Sequence, residues 1–157
     1  MQKITPFLWF DHQAEAAMNF YVSIFKHSKV LSVNRYGDNA PLPKGTVLTA
    51  SFELDGQKFV ALNGGPHQTF TPAISFVVNC ETQAEVDEYW VKLSAGGEEG
   101  RCAWLTDKFG VSWQIVPKQL GQLLSDPDPA KAGRVMQAMM QMKKIDIAGL
   151  QRAYEQR

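Results

Sequence analysis

"AISFVVNCETQAEVDEYW", residues 73 to 90, changes structural rhythm midway. Ala73 to Cys80 is apolar and rich in β-branched residues, which predicts a strand. Thr82 and Glu85 stand at capping-box spacing, so a helix should begin there. Val86, Tyr89, Trp90 and Leu93 recur at helical intervals, and Gly96-Gly97 ends the run. Further downstream, "EEGRCAWLT" (residues 98 to 106) and "VSWQIVP" (residues 111 to 117) read as strands. Asp107 and Gly110 lie in the turn between them, with Asp107 either stabilising that turn or presenting a carboxylate at a rim.

The same order occurs upstream. Thr5 to Phe10 predicts a strand, and Asp11 offers an N-cap. Ala17, Phe20, Tyr21, Ile24 and Phe25 give residues 13 to 26 an amphipathic helix. Lys29 to Gly37 follows as a strand and Asp38 to Gly45 as a Pro/Gly loop. Thr46 to Asn63 is a hairpin: Leu48, Ala50, Phe52 and Leu54 alternate with polar residues, and Asp55-Gly56 supplies a tight turn. Gly64 to Pro72 is a second loop. "NFYVSIF" at 19 to 25 also falls faintly over "EYWVKLS" at 88 to 94. The chain therefore predicts an α+β fold built from a repeated unit of strand, helix and three strands. The expected divisions are module one 1-68, module two 69-118 and a helical extension 119-157. In that extension Asp128 and Pro129 start a helix with the face Ala132, Val135, Met136, Met139 and Met140. Asp146 then caps a last helix bearing Ile147, Leu150 and Tyr154. A Met-rich stripe of this kind points to core packing or a subunit contact.

Bulk properties narrow the function. The 157 residues are 45% apolar, enough for a sizeable core, with 16 basic and 16 acidic side chains. That balance gives no long-range attraction to nucleic acid or to an anionic membrane. No apolar run reaches the roughly 18–20 residues that span a bilayer. The start "MQKITPFLWFDHQ" does not read as a signal peptide. Cys80 and Cys102 sit in expected strands outside any CxxC pattern, as two reduced thiols of a cytoplasmic protein would.

Motifs for chemistry are sparse. There is no G-x-S-x-G elbow, no P-loop, and no G-x-G-x-x-G after a strand. "AGGEEG" follows a helix and gathers no N–H groups for a phosphate. What stands out is aromatic: four Trp and nine Phe. Trp113 and Gln114 must face opposite sides of their strand, because side chains alternate. If Gln114 faces a cavity, Trp113 packs beneath helices. Trp9 and Trp104 then line either that cavity or the core. Aromatic walls with a few amides suit a neutral or planar ligand. The candidate ligand-binding residues are Trp9, Asn63, His67, Trp104 and Gln114. His12, His27 and His67 form no recognised metal-ligand spacing. His67, alone or with His12 and a borrowed carboxylate, is the place for a shifted metal.

The stretches "NGGP" (63 to 66), 73 to 90, "LSAGGEEGRCAWLTDKFGVSWQIVP" (93 to 117) and "LLSDPDPAKAGRVMQAMMQMKKIDIAGL" (123 to 150), with the opening 7 to 21, resemble the PhnB-like group of the vicinal oxygen chelate superfamily. This superfamily includes glyoxalases, bleomycin- and fosfomycin-resistance proteins and extradiol dioxygenases. The group also carries the label 3-demethylubiquinone 3-methyltransferase. Many relatives have "CGWL" where this chain has "CAWL", so Ala103 departs. The resemblance implies two βαβββ modules forming curved mixed sheets around a cup, and a homodimer. It also implies, in the enzymes, a divalent metal held by His, Glu or Gln from the first and last strands of both modules. Here Thr5 to Phe10, Phe59 to Gly64 and Ala73 to Asn79 contain no His, Asp or Glu, and Val111 to Val116 offers only Gln114. A catalytic ion wants about three good ligands, so the usual site is expected to be absent and no cofactor is implied. The methyltransferase label finds no glycine fingerprint for S-adenosylmethionine.

Three functions follow as expectations. One is metal-independent binding of a small, partly apolar molecule. Another is a metal-dependent lyase, isomerase or dioxygenase with a site shifted toward His67. The third is a structural or regulatory dimer whose tail helices are the working surface.

Overall fold

The computed structural model describes residues 2–156. The chain divides into two compact units, the first ending at Phe70 and the second beginning at Thr71. In the first, β1 (Phe7–Phe10) leads into α1 (Ala14–Ile24), followed by β2 (Lys29–Arg35), β3 (Val47–Leu54) and β4 (Gln57–Asn63). The sheet order is β1-β4-β3-β2. β1 runs parallel to β4, and the β3–β4 hairpin is antiparallel about Asp55 and Gly56. Both turn residues have positive φ, at 47° and 82°, as the Asp-Gly pair predicts.

The second unit repeats this order. β5 (Ser75–Cys80) precedes α2 (Gln83–Ser94), β6 (Glu98–Glu99), β7 (Trp104–Thr106) and β8 (Ser112–Pro117). The sheet order is β5-β8-β7-β6, with β5 parallel to β8. Each unit is thus a βαβββ module with a mixed four-stranded sheet. The span 98 to 106 is not one strand but two. A turn separates β6 from β7, and in it Cys102 and Ala103 hold φ of 56° and 79°. Neither is glycine; the signal in the sequence is Gly100, which opens the turn and where a Cβ would lie 2.7 Å from the Trp104 carbonyl oxygen.

Each sheet has one face packed under its helix. In the first unit Leu8, Phe10, Ala50, Phe52, Phe59 and Ala61 are buried on that face. Phe52 stacks on Phe59 and on Tyr21 of α1, with centroids 5.6 and 6.2 Å apart. In the second unit Leu105, Trp113 and Ile115 are buried with Val86, Trp90 and Leu93 of α2. Trp113 therefore packs on the helix side and Gln114 on the other, as strand alternation requires. Glu99 accepts the Trp90 indole N–H at 3.0 Å, so the α2 face reaches the sheet edge.

Two helix starts differ from expectation for one reason. Asp11 does not cap α1. The N-cap position is Gln13, whose side chain makes no cap bond, and the Ala14 N–H donates instead to Asn63 Oδ1 at 2.8 Å. Asp146 occupies the N-cap of the last helix without a side-chain cap bond, and Gln83 Oε1 accepts the Ile147 N–H at 2.8 Å. A distant amide replaces the local cap in both cases. The α2 cap is local, since Thr82 accepts from the Glu85 N–H at 3.2 Å.

The tail comprises α3 (Lys118–Leu124), α4 (Pro129–Met140) and α5 (Ile147–Glu155). Asp128 caps α4 through the Ala130 N–H, with Pro129 at the first position. Val135, Ile145 and Leu150 are fully buried in one cluster with Leu120 and Ala103, and Met139 and Val116 pack against it. Met136 and Met140, on the same stripe, are exposed. The tail is therefore part of the second unit's core. No helix among the described residues is long and apolar enough to cross a membrane.

Candidate functional site

The strand registers sort the candidate residues by face. In the first unit Trp9 pairs with Leu62, which pairs with Thr49, on the face away from α1. The Trp9 indole is fixed by the loop after β4. Its N–H donates to the Gly65 carbonyl at 2.9 Å. A Cβ on Gly64 would lie 2.2 Å from Trp9 Cε2, so only glycine leaves room for the ring. Gly65 takes φ +89°, a conformation that costs glycine little. "NGGP" is thus a clamp: Asn63 holds the start of α1, Gly64 seats the indole, and Gly65 accepts its N–H.

Asn63 itself lies on the helix side, register-paired with Phe10. Its carbonyl oxygen accepts from Ala14, and its amide donates to the Val47 carbonyl at 3.0 Å. His67 is exposed in the following loop, with its ring near Gly65. The structure therefore puts Trp9 and His67 around one glycine loop and Asn63 on the opposite face.

In the second unit Trp104 and Gln114 are direct cross-strand neighbours, and Gln114 pairs with Val77 on its other side. The adjacent row is Ser75, Ser112 and Thr106. These six residues share the face away from α2. Gln114 Nε2 donates to Ser75 Oγ at 2.9 Å, which leaves Gln114 Oε1 as an open acceptor. Ser112 is 3% exposed, and its hydroxyl has no partner among the described residues. Trp9, Trp90 and Trp113 each place their indole N–H on a protein acceptor, whereas that of Trp104 has none among the described residues. One end of this face is bordered by the tail, because Val116 packs into the tail cluster.

Asp107 lies behind this face. It is 3% exposed, and its carboxylate collects three donors: the N–H groups of Phe109 and Val111 on Oδ1, at 2.9 and 3.0 Å, and the Trp113 indole N–H on Oδ2, at 2.9 Å. It stabilises the β7–β8 turn. Cys80 is buried, and burial, aided by Glu85, pushes its thiol up to about 12. Such a thiol is held protonated and is a poor nucleophile or ligand.

The strands that the resemblance assigns to a metal carry Phe7, Trp9, Val60, Leu62, Ser75, Val77, Ser112 and Gln114 on the open faces. One neutral amide is the strongest metal donor in that set. It does not fit a divalent catalytic ion, which needs carboxylate or imidazole ligands. Among the described residues, no three His, Cys, Asp or Glu side chains gather into a metal-sized group. His12 has Asp11 at 3.5 Å and is otherwise exposed.

Comparison with known proteins gives a consistent family signal. The family described as 3-demethylubiquinone-9 3-methyltransferase matches residues 2–116. A PhnB protein from Bacillus cereus, bearing the same methyltransferase label, is 43% identical with a TM-score of 0.68, covering 74% of this chain and 99% of its own. A Pseudomonas aeruginosa protein is 20% identical with a TM-score of 0.62, over 74% of this chain and 98% of its own. A fosfomycin resistance protein from Listeria monocytogenes, solved with Mn(II) and sulfate, is 15% identical with a TM-score of 0.51, over 74% of this chain and 91% of its own. The latter two likenesses concern the fold. No curated protein matches.

Proposed function

The chain belongs to the PhnB-like family of the vicinal oxygen chelate superfamily, described as 3-demethylubiquinone-9 3-methyltransferase, and from that premise we propose that it binds a small, partly apolar molecule without a metal. One observation carries the reading: the strand positions where such proteins hold metal present Trp9 and Leu62 in one unit, and Val77 and Gln114 in the other. Apolar and aromatic surface with one amide favours a neutral ligand by burial and orients it by few hydrogen bonds. A carboxylate to take a proton is missing from the face, and Asp107 is engaged on the helix side by three donors. The homodimer that the resemblance implies belongs to the same proposal.

The test has two arms. Calorimetric titration of the full chain with zinc, manganese and ferrous ions should give no binding tighter than micromolar. Tight binding that disappears in His67→Ala would replace this reading with a shifted metal site. In parallel, a screen of flat, uncharged compounds by side-chain amide NMR should move the Gln114 resonances. A screen in which every responding resonance lies elsewhere would reject the site.

A further inference from the structure

The open face of the second unit has an unbalanced set of hydrogen-bonding groups. From the register, Trp104, Gln114 and Val77 form one row and Thr106, Ser112 and Ser75 the next. Directly opposed side chains on such rows have Cβ atoms about 5 Å apart. Four groups lack partners among the described residues. The Trp104 indole N–H can only donate. The Ser112 hydroxyl belongs to a residue that is 3% exposed, so little water reaches it. Ser75 accepts from Gln114 and keeps its own O–H free to donate, while Gln114 keeps a carbonyl oxygen that can only accept. The Ser112 hydroxyl is not wholly enclosed, since Gln119 Oε1 is the one fully buried side-chain atom without a partner among the described residues; it opens toward the same face as the other three. No formal charge lies on either row.

Building on the binding reading above, we infer that this face takes a flat, uncharged ring bearing a cis-amide edge, that is, a lactam or cyclic imide. Such an edge carries an acceptor and a donor side by side. Its carbonyl oxygen takes the Trp104 N–H and the Ser112 O–H. Its ring N–H donates to Gln114 Oε1. The ring lies over Val77, which is 48% exposed, and is bounded where the tail meets Val116. A carboxylate ligand would set its charge against the Gln114 carbonyl oxygen, and a plain hydrocarbon would leave all three edge groups unpaired.

The experiment compares carbostyril with N-methylcarbostyril and naphthalene, three flat bicyclic probes of similar size. The full chain is titrated and followed by Trp fluorescence and by the Gln114 side-chain amide signals. Carbostyril should bind about tenfold more tightly than either comparator, the worth of one or two satisfied hydrogen bonds. Trp104→Phe keeps an aromatic ring but removes the N–H. Like Ser112→Ala, it should erase several-fold of the preference for carbostyril over naphthalene. Equal affinity for the three probes would overturn the amide-edge inference and leave the apolar binding reading standing. Carbostyril binding that moves signals only outside Trp104 and Gln114 would overturn it too, and would count against the face itself as a site. Both variants are checked by thermal denaturation, and Ser112→Thr, which retains the hydroxyl, should preserve the preference.

Discussion

At the scale of single residues, the informative positions are those whose surroundings leave no freedom. Asp107 supports three donors in a buried turn. Asp107→Ala should cost about 3 kcal/mol, the range for stranding buried donors that had a charged partner. Urea denaturation gives the value, and a loss under half of that would mean water replaces the carboxylate. Gly64→Ala should displace the Trp9 indole, since the ring occupies the space a Cβ needs; about 1–3 kcal/mol is expected from overpacking. The signature is a shift in Trp emission together with a lower Tm. Cys80 makes a pH prediction. Its folded thiol is raised from 9.0 to about 12, so between those limits the unfolded chain loses a proton that the folded chain keeps. Stability is then intact below pH 9 and falls progressively up to about pH 12, and Cys80→Ala should flatten that decline in denaturation midpoints. Much of this scale was legible in the sequence. The opposed facing of Trp113 and Gln114 follows from strand alternation, and the turn role of Asp107 from local chemistry. The Gly64–Trp9 contact was not legible, because it joins two strands through space.

At the scale of elements, the sequence was readable wherever structure is set by neighbours along the chain. Thr82 with Glu85, Asp128 with Pro129, and Asp55 with Gly56 all act where local rules put them. The failures at Asp11 and Asp146 share a cause: an amide from another element reaches the helix start first. Nothing in the residues around Ala14 or Ile147 announces Asn63 or Gln83. The turn at Cys102 and Ala103 was missed for a different reason: Gly100 marks it, but the two positive φ values fall on residues that are neither glycine nor asparagine. Gln83 deserves the sharper test. It donates to the Ile145 carbonyl and accepts from Ile147, joining α2 to the entry of α5. Its amide also donates to Asp87 Oδ1 at 2.9 Å, so Gln83→Ala should cost about 2–3 kcal/mol for three lost bonds. It should also hasten proteolysis between Lys143 and Ile147, while cleavage elsewhere stays unchanged. Uniform acceleration across the chain would point instead to global destabilisation.

At the scale of the whole molecule, the two-module plan was legible because a strand-helix-strand order repeats, and composition placed the chain among globular proteins. The integration of the tail was less so. Its stripe suggested packing or a subunit contact, and the structure divides it: Val135 and Met139 turn inward, whereas Met136 and Met140 stay exposed. A chain cut after residue 126 would expose Ala103 and Leu120, and would strip the carbonyls of Met142 and Lys143 from the N–H groups of Cys102 and Ala103. Such a truncation should abolish the cooperative unfolding of the second unit in calorimetry. A truncated protein that melts like the full chain would show that the tail is an independent appendage.

The pinning of Cys102 and Ala103 also bears on biosynthesis. The first module holds every strand its sheet needs once Asn63 has been translated. The second cannot set the backbone beside Trp104 until Met142 and Lys143 arrive, nor seal its interior before Leu150. Vectorial synthesis therefore leaves a half-finished sheet waiting on late residues, and a ribosome stalled before Met142 would release a product with its second sheet incomplete.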